Sequence, residues 1–163
     1  MTHDRMKTSD KGLKLIREWE GCVLKVYADV AGYSTIGIGH LIRDGENFGL
    51  GITEDEAMAL LAEDVVHAEN CVNNYVKVGL TQGQFDVLVD FVFNVGGGAF
   101  RRSTLLRLLN DGDHDAVPHQ LLRWKMAGGK VVQGLINRRK AGGKVWRAAS
   151  LPKPRKKPAH SCA

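Results

Sequence analysis

Glu20 closes an apolar-periodic stretch, Asp29 follows nine residues later and Thr35 six after that, with a turn at Ala31-Gly32 between the last two. A helix end lying against a hairpin brings three such side chains to one wall of a cleft. Two carboxyl groups held this way can hydrolyse a glycosidic bond. One protonates the leaving oxygen, and the other guides water or attacks the sugar directly. Trp19 and Cys22 flank the glutamate, so its carboxyl is expected in a partly desolvated setting. Type and spacing alone are not specific, because many helices end in glutamate and many hairpins carry aspartate.

Other chemistries fit the sequence poorly. Gly32-Tyr33-Ser34-Thr35-Ile36 lacks the final glycine of a nucleophile elbow, and Gly37-Ile38-Gly39-His40-Leu41-Ile42 lacks the third glycine of a dinucleotide loop. The six histidines form no His-Glu-x-x-His pair, and a Cys22/His40 peptidase would need an orienting partner that the sequence does not identify. Cys22, Cys71 and Cys162 are odd in number and without metal spacing, so they read as isolated thiols.

The elements that must position these residues can be read from caps and periodicity. Ser9 or Asp10 caps a helix running to about Trp19, with Leu13, Leu15, Ile16 and Trp19 as its apolar stripe. From Val23 the residues become β-branched and aromatic, broken by Gly32, Gly37 and Gly39, and residues 23–42 read as a small antiparallel sheet. Thr53-Glu54-Asp55-Glu56 is a capping box opening an amphipathic helix long enough to link two lobes. A second box, Thr81-Gln82-Gly83-Gln84, precedes a stretch that is apolar on nearly every side and reads as the buried centre of the larger lobe.

Helices are expected over residues 103–110, stopped by Asp111-Gly112, and over 115–124, where Pro118 fits only the first turn. A glycine-punctuated loop at 128–134 leads to a last helix over 135–149, which Gly142-Gly143 should weaken by roughly 2 kcal/mol relative to alanines. One two-lobed domain over residues 1–150 is expected to end in a basic, proline-rich tail over 151–163 that is too charged to pack and is disordered.

The order Glu20-Gly21, Tyr27-Ala28-Asp29, then Gly32-Tyr33-Ser34-Thr35-Ile36-Gly37-Ile38-Gly39-His40 closely resembles the active-site region of phage endolysins of the T4-lysozyme-like family, the glycoside hydrolase family 24 type of muramidase. The similarity continues through Phe93-Asn94-Val95-Gly96, Ala99-Phe100, Ser103-Thr104-Leu105-Leu106, Asn110-Asp111-Gly112-Asp113, Gly134-Leu135 and Arg138-Arg139. It implies a mostly helical α+β, lysozyme-like fold. A small sheet-containing N-terminal lobe and a larger helical C-terminal lobe would be joined by a long helix. It also implies cleavage of the β-1,4 bond between N-acetylmuramic acid and N-acetylglucosamine in bacterial peptidoglycan, causing host cell lysis, with no cofactor and no metal.

Carried onto this chain, Glu20 resembles the general acid, Asp29 the carboxylate that orients water or stabilises positive charge at the sugar, and Thr35 the hydroxyl partner of that water. Together they suggest a single displacement with inversion. Arg138 or Arg139 is expected to reach Glu20 from the opposite lobe through a charge-assisted hydrogen bond. Asn94 either lines the cleft or caps a buried turn. Gly37 either lets a saccharide approach the backbone or kinks a strand, and His40 reads as a satisfied structural histidine. Gly142-Gly143 stands where the family leads one to expect good helix formers.

Residues 1–100 hold 8 Lys/Arg against 15 Asp/Glu, residues 101–150 hold 11 against 3, and residues 151–163 add 4 basic groups, for a net charge of +5. A basic C-terminal half attracts polyanions. Its basic residues are not interleaved with an aromatic platform, so no specific nucleic-acid partner is expected. Met1 to Asp10 carry no apolar run, and neither a signal peptide nor a transmembrane segment is expected. The protein is then expected to wait in the host cytoplasm as a monomer until the inner membrane is permeabilised, and to act afterwards on the periplasmic cell wall. The resemblance implies a holin as the partner that opens the way. Two other classes stay open. A lytic transglycosylase uses one glutamate and leaves Asp29 and Thr35 without a task. A non-catalytic wall-binding or nucleic-acid-binding protein would rest on the basic half alone.

Overall fold

The computed structural model describes residues 4–150, so the basic tail expected over 151–163 lies outside the described residues, as does Cys162. Helix α1 (Asp10–Glu20) begins where the Ser9 hydroxyl accepts the Gly12 N–H at 3.1 Å, and it stops at Gly21, whose φ of 75° suits glycine. Ile16 is buried and Leu13 and Leu15 are half-buried, but Trp19, expected in the stripe, is 36% exposed. It sits in the last turn, where the chain leaves the helix for the sheet.

Two residues later β1 (Val23–Ala28) pairs antiparallel with β2 (Ser34–Gly37), Tyr27 opposite Thr35, and β2 pairs with β3 (His40–Leu41). All of β1 is exposed, whereas Thr35 to Ile38 are buried beneath α2 (Glu54–Asp64). The single linking helix expected from Thr53 is two helices, α2 and α3 (Val66–Tyr75). They meet at Val65, across which Val65 N–H to Leu61 O (2.9 Å) and Glu69 N–H to Val65 O (2.8 Å) keep the hydrogen bonding going. The first capping box is half made. Thr53 accepts the Glu56 N–H at 3.1 Å, while the Glu56 carboxylate meets the Thr53 hydroxyl instead of its N–H.

Helix α4 (Gln82–Val95) carries the second box in full and is buried from Gln84 to Val92, Asp86 and Asp90 included. Around it lie α5 (Gly97–Arg101), α6 (Thr104–Asn110), a 3₁₀ turn at His114–Ala116, α7 (Val117–Leu121) and α8 (Gln133–Ala149). The helix expected to reach Trp124 stops at Leu121, with Pro118 in its first turn. The loop expected at 128–134 holds a hairpin, β4 (Met126–Ala127) and β5 (Lys130–Val131). Its turn uses Gly128 and Gly129 at φ 55° and 76°, the positive pair that a two-residue hairpin loop requires.

Gly142 and Gly143 are buried inside α8 where it lies against α4 and α7. Phe85, Leu88, Phe91, Phe100, Leu105, Leu109 and Trp146 form the core of the helical lobe, each exposed by 1% or less. The whole is a mostly helical α+β fold, a small sheet lobe and a larger helical lobe bridged by α2 and α3. Among the described residues no helix is long and apolar enough to cross a membrane.

Candidate active site

Glu20 is the last residue of α1, and its side chain is held from the helical lobe. Arg138, on α8, donates from Nη1 to Glu20 Oε1 at 2.8 Å. The same guanidinium donates from Nη2 to Asp90 Oδ1 at 2.7 Å and from Nε to both Asp90 oxygens at 3.2 and 3.3 Å. Arg138 and Asp90 are each 6% exposed at the side chain and Glu20 is 26% exposed, so the ion pair is deep on the Asp90 side and open on the Glu20 side. Burial alone would push the Arg138 pKa down. Hydrogen bonds and charge from Asp90, and then from Glu20, outweigh it, and the net shift is upward.

Of the two arginines expected near Glu20, only Arg138 reaches it. Arg139 points to another side of α8, donating from Nε to the Trp124 carbonyl at 3.1 Å and from Nη2 to Asn94 Oδ1, with its guanidinium 5.1 Å from the centre of the Phe91 ring. Neighbours on a helix diverge by about 100°, so both cannot face one target. Burial pushes the Arg139 pKa down to about 10, which leaves it charged at neutral pH. Asn94 is exposed and serves as that arginine's acceptor.

Asp29 and Thr35 come from the sheet lobe and are fixed to one another through Tyr33. Asp29 Oδ1 accepts the Ala31 N–H at 2.9 Å and the Tyr33 N–H at 2.8 Å. The buried Thr35 hydroxyl donates to the Tyr33 carbonyl at 2.9 Å. With its proton committed, Thr35 Oγ1 keeps its lone pairs, and among the described residues Asp29 Oδ2 has no hydrogen-bond partner. The local sequence explains the turn: a short acidic side chain caps its own backbone two and four residues on, and Gly32, at φ 87°, closes the bend.

Gly37 does not border open space. A Cβ at this position would meet Ala57 and Ile52 at 3.4 Å, ordinary contact, and it is the φ of 68°, where the strand bends, that favours glycine. His40 is buried between Asp64, 2.8 Å from Nδ1, and Glu46, 3.1 and 3.2 Å from Nε2. It anchors the sheet to α2 and to the loop after β3, with no hydrogen bond to Glu20, Asp29 or Thr35 among the described residues. The residue that sequence reading passed over is Asp90. A carboxylate within a helix apolar on nearly every side must find hydrogen-bonding partners, but the sequence does not say whether these are a cation, as at Asp90, or neutral groups, as at Asp86, which Ser9 and Gln82 hold.

Comparison with known proteins agrees with this architecture. The family model described as Phage lysozyme matches residues 17–142. An endolysin of Acyrthosiphon pisum secondary endosymbiont phage 1 is 40% identical over 148 residues, covering 88% of this chain and all of the relative. An endolysin of Bacillus phage PZA is 44% identical over 136 residues, 82% of this chain, and the chain spans about half (52%) of that longer protein. A crystal structure of a P22 lysozyme variant superposes with a TM-score of 0.81 at 35% identity, covering 87% of this chain and 99% of the other.

Fold and matches together define a lysozyme-type glycosidase. The chain belongs to the phage lysozyme family.

Proposed function

We propose that this chain is an endolysin of the T4-lysozyme-like, glycoside hydrolase family 24 type, cutting the β-1,4 bond from N-acetylmuramic acid to N-acetylglucosamine in peptidoglycan. Glu20 is the general acid that protonates the leaving oxygen. A water molecule hydrogen-bonded to Asp29 Oδ2 and Thr35 Oγ1 turns its lone pair toward the anomeric carbon; as its oxygen bonds to that carbon it passes one proton to Asp29, the glycosidic C–O bond breaks, and the leaving oxygen takes the Glu20 proton. Attack from that side gives inversion in a single displacement. The observation that supports this reading is that Asp29 Oδ1 accepts the Tyr33 N–H while the Thr35 hydroxyl donates to the Tyr33 carbonyl, so both side chains are tied to one residue with Asp29 Oδ2 and the Thr35 lone pairs uncommitted. The protein acts as a monomer. It is held in the host cytoplasm until a holin opens the inner membrane, and then reaches the wall.

The test is the clearing rate of outer-membrane-permeabilised Gram-negative cells by the wild type and by Glu20→Gln, with a melting curve for each. Gln keeps an acceptor for Arg138, so the variant should melt like the wild type while losing roughly a hundredfold or more in rate. Equal rates would remove Glu20 from the acid role, and products ending only in anhydro sugars would replace hydrolysis by transglycosylation.

A further inference from the structure

Trp19 is more than a third exposed and the Glu20 side chain a quarter, so the Glu20 carboxyl is not enclosed in an apolar pocket. Among the described residues its one hydrogen-bonded charge partner is Arg138, at 2.8 Å. A lone cation at such a distance works against a proton donor, which must act from the acid form. The other buried arginine of α8, Arg139, is turned to Asn94 and Trp124. On α1, Arg17 is committed to Glu54. On the sheet side, Cys22 and Asp29 make no hydrogen bond to Glu20 among the described residues. On α4, Asp86 is tied to Ser9 and Gln82 at the far end of α1. The one group placed to offset the arginine is Asp90.

We infer that Asp90 is a positioning residue for the reaction: it fixes the Arg138 guanidinium and takes most of its charge, so that Glu20 is oriented without being locked as a carboxylate. This rests on Glu20 being the general acid. The geometry is suited to the task. Asp90 binds the guanidinium through Nε and Nη2 on its buried edge, and only Nη1 is left for Glu20. The delocalised cation is therefore held as a fork by one acid and presents a single N–H to the other. From the position of Glu20, the Asp90–Arg138 pair is a dipole with no net charge. Without Asp90 it would be a free cation.

The experiment compares wild type, Asp90→Asn and Asp90→Glu by the pH dependence of lysis and by carbon NMR titration of the Glu20 side-chain carboxyl, with Glu20→Gln run alongside. In Asp90→Asn the shape is kept and the charge removed. The Glu20 carboxyl should titrate at lower pH than in wild type, and the alkaline limb of the rate profile should move down with it. Activity at neutral pH should fall of order tenfold and recover on acidification, with KM unchanged. Asp90→Glu restores the charge and should keep both the titration and the limb near wild type, even where it melts earlier. Titration and limb unmoved in Asp90→Asn, or an Asp90→Glu profile displaced in the same way, would overturn the inference. A carboxyl that shifts while the rate profile does not would uphold the coupling and count against Glu20 as the acid, as would an active Glu20→Gln.

Discussion

His40 is 2% exposed and has a carboxylate on each ring nitrogen, an arrangement that only the imidazolium, with two N–H donors, satisfies in full. Burial by itself would lower its pKa. The hydrogen bonds and charges of Asp64 and Glu46 overcome that, and the folded value is raised. Glu46 is shifted the other way, held below the usual carboxylate range first by the Arg43 backbone N–H and then by His40. A raised pKa means that the contribution of His40 to stability is complete below its unfolded value of about 6.5 and is lost as pH rises through the folded one. The melting temperature of His40→Gln should therefore fall furthest below wild type at mildly acid pH, by a loss of roughly 1.5–3 kcal/mol, and the gap should narrow toward pH 9. A gap that widens with pH would mean that the neutral ring is the bound form. The residue types around the site were legible to different degrees. Glu20, Asp29 and Thr35 stand in the sequence where chemistry could be argued from type and spacing, and the structure has them at the expected helix end and hairpin. The choice between Arg138 and Arg139 could not be made, because it depends on the rotation of α8 about its axis, which α4 and α7 determine by packing. Asp90 was hidden by the apolar residues around it.

Helix α8 tests how far propensity decides an element. Two adjacent glycines should cost a helix interior about 2 kcal/mol against alanines, yet α8 runs unbroken through them because tertiary contact offsets the loss. The two positions are not equivalent. A Cβ at Gly142 would meet Val87 and Leu121 at 3.5 and 3.6 Å, ordinary contact, whereas at Gly143 it would come within 3.3 Å of Pro118 Cβ, on a ring that has little freedom to move. Gly142→Ala should therefore stabilise the protein by about 0.5–1 kcal/mol, and Gly143→Ala should gain less or lose, as read from paired denaturant midpoints. An equal gain at both positions would show that α8 can slide off α7 without cost. The same balance explains which elements could be read from the sequence. The starts of α1, α4 and α6 carry side-chain caps at Ser9, Thr81 and Ser103, a local signal that the structure keeps. The step between α2 and α3 interrupts a continuous helical pattern without Gly or Pro, and α5 begins in a glycine run with no side-chain cap, so the sequence predicts one helix for the first and none for the second. The β4–β5 hairpin carries its signal in Gly128-Gly129, which reads as a loop in the sequence.

Over the whole molecule the charge is divided along the chain, with an acidic excess before residue 100 and a basic excess after it. The helical lobe contributes most of the second group. On its surface Arg102 and Arg123, with Ser103, Thr104, Gln120 and Trp124, line an open pocket of about 420 Å³. Among the described residues neither arginine has a carboxylate partner. A wall polymer bearing carboxylates would feel this lobe before it reached the cleft, and the attraction would extend only as far as salt allows, about 10 Å at 0.1 M. The effect belongs to encounter, because the contacts that hold the proposed catalytic residues Glu20, Asp29 and Thr35 are shorter than any screening length. The rate of clearing whole walls should accordingly fall several-fold to about tenfold between roughly 20 and 200 mM salt, while turnover of a short, soluble, peptide-free fragment of the wall glycan should change much less. Arg123→Glu should lower the low-salt rate and flatten the salt dependence with little change in melting temperature. Its ring-facing neighbour Trp124 still packs on Phe91, and the only hydrogen bond lost among the described residues is a weak one to Gln120 at 3.4 Å. If both substrates slow together as salt rises, the ions act at the proposed site itself, and the basic lobe has no part in finding the wall.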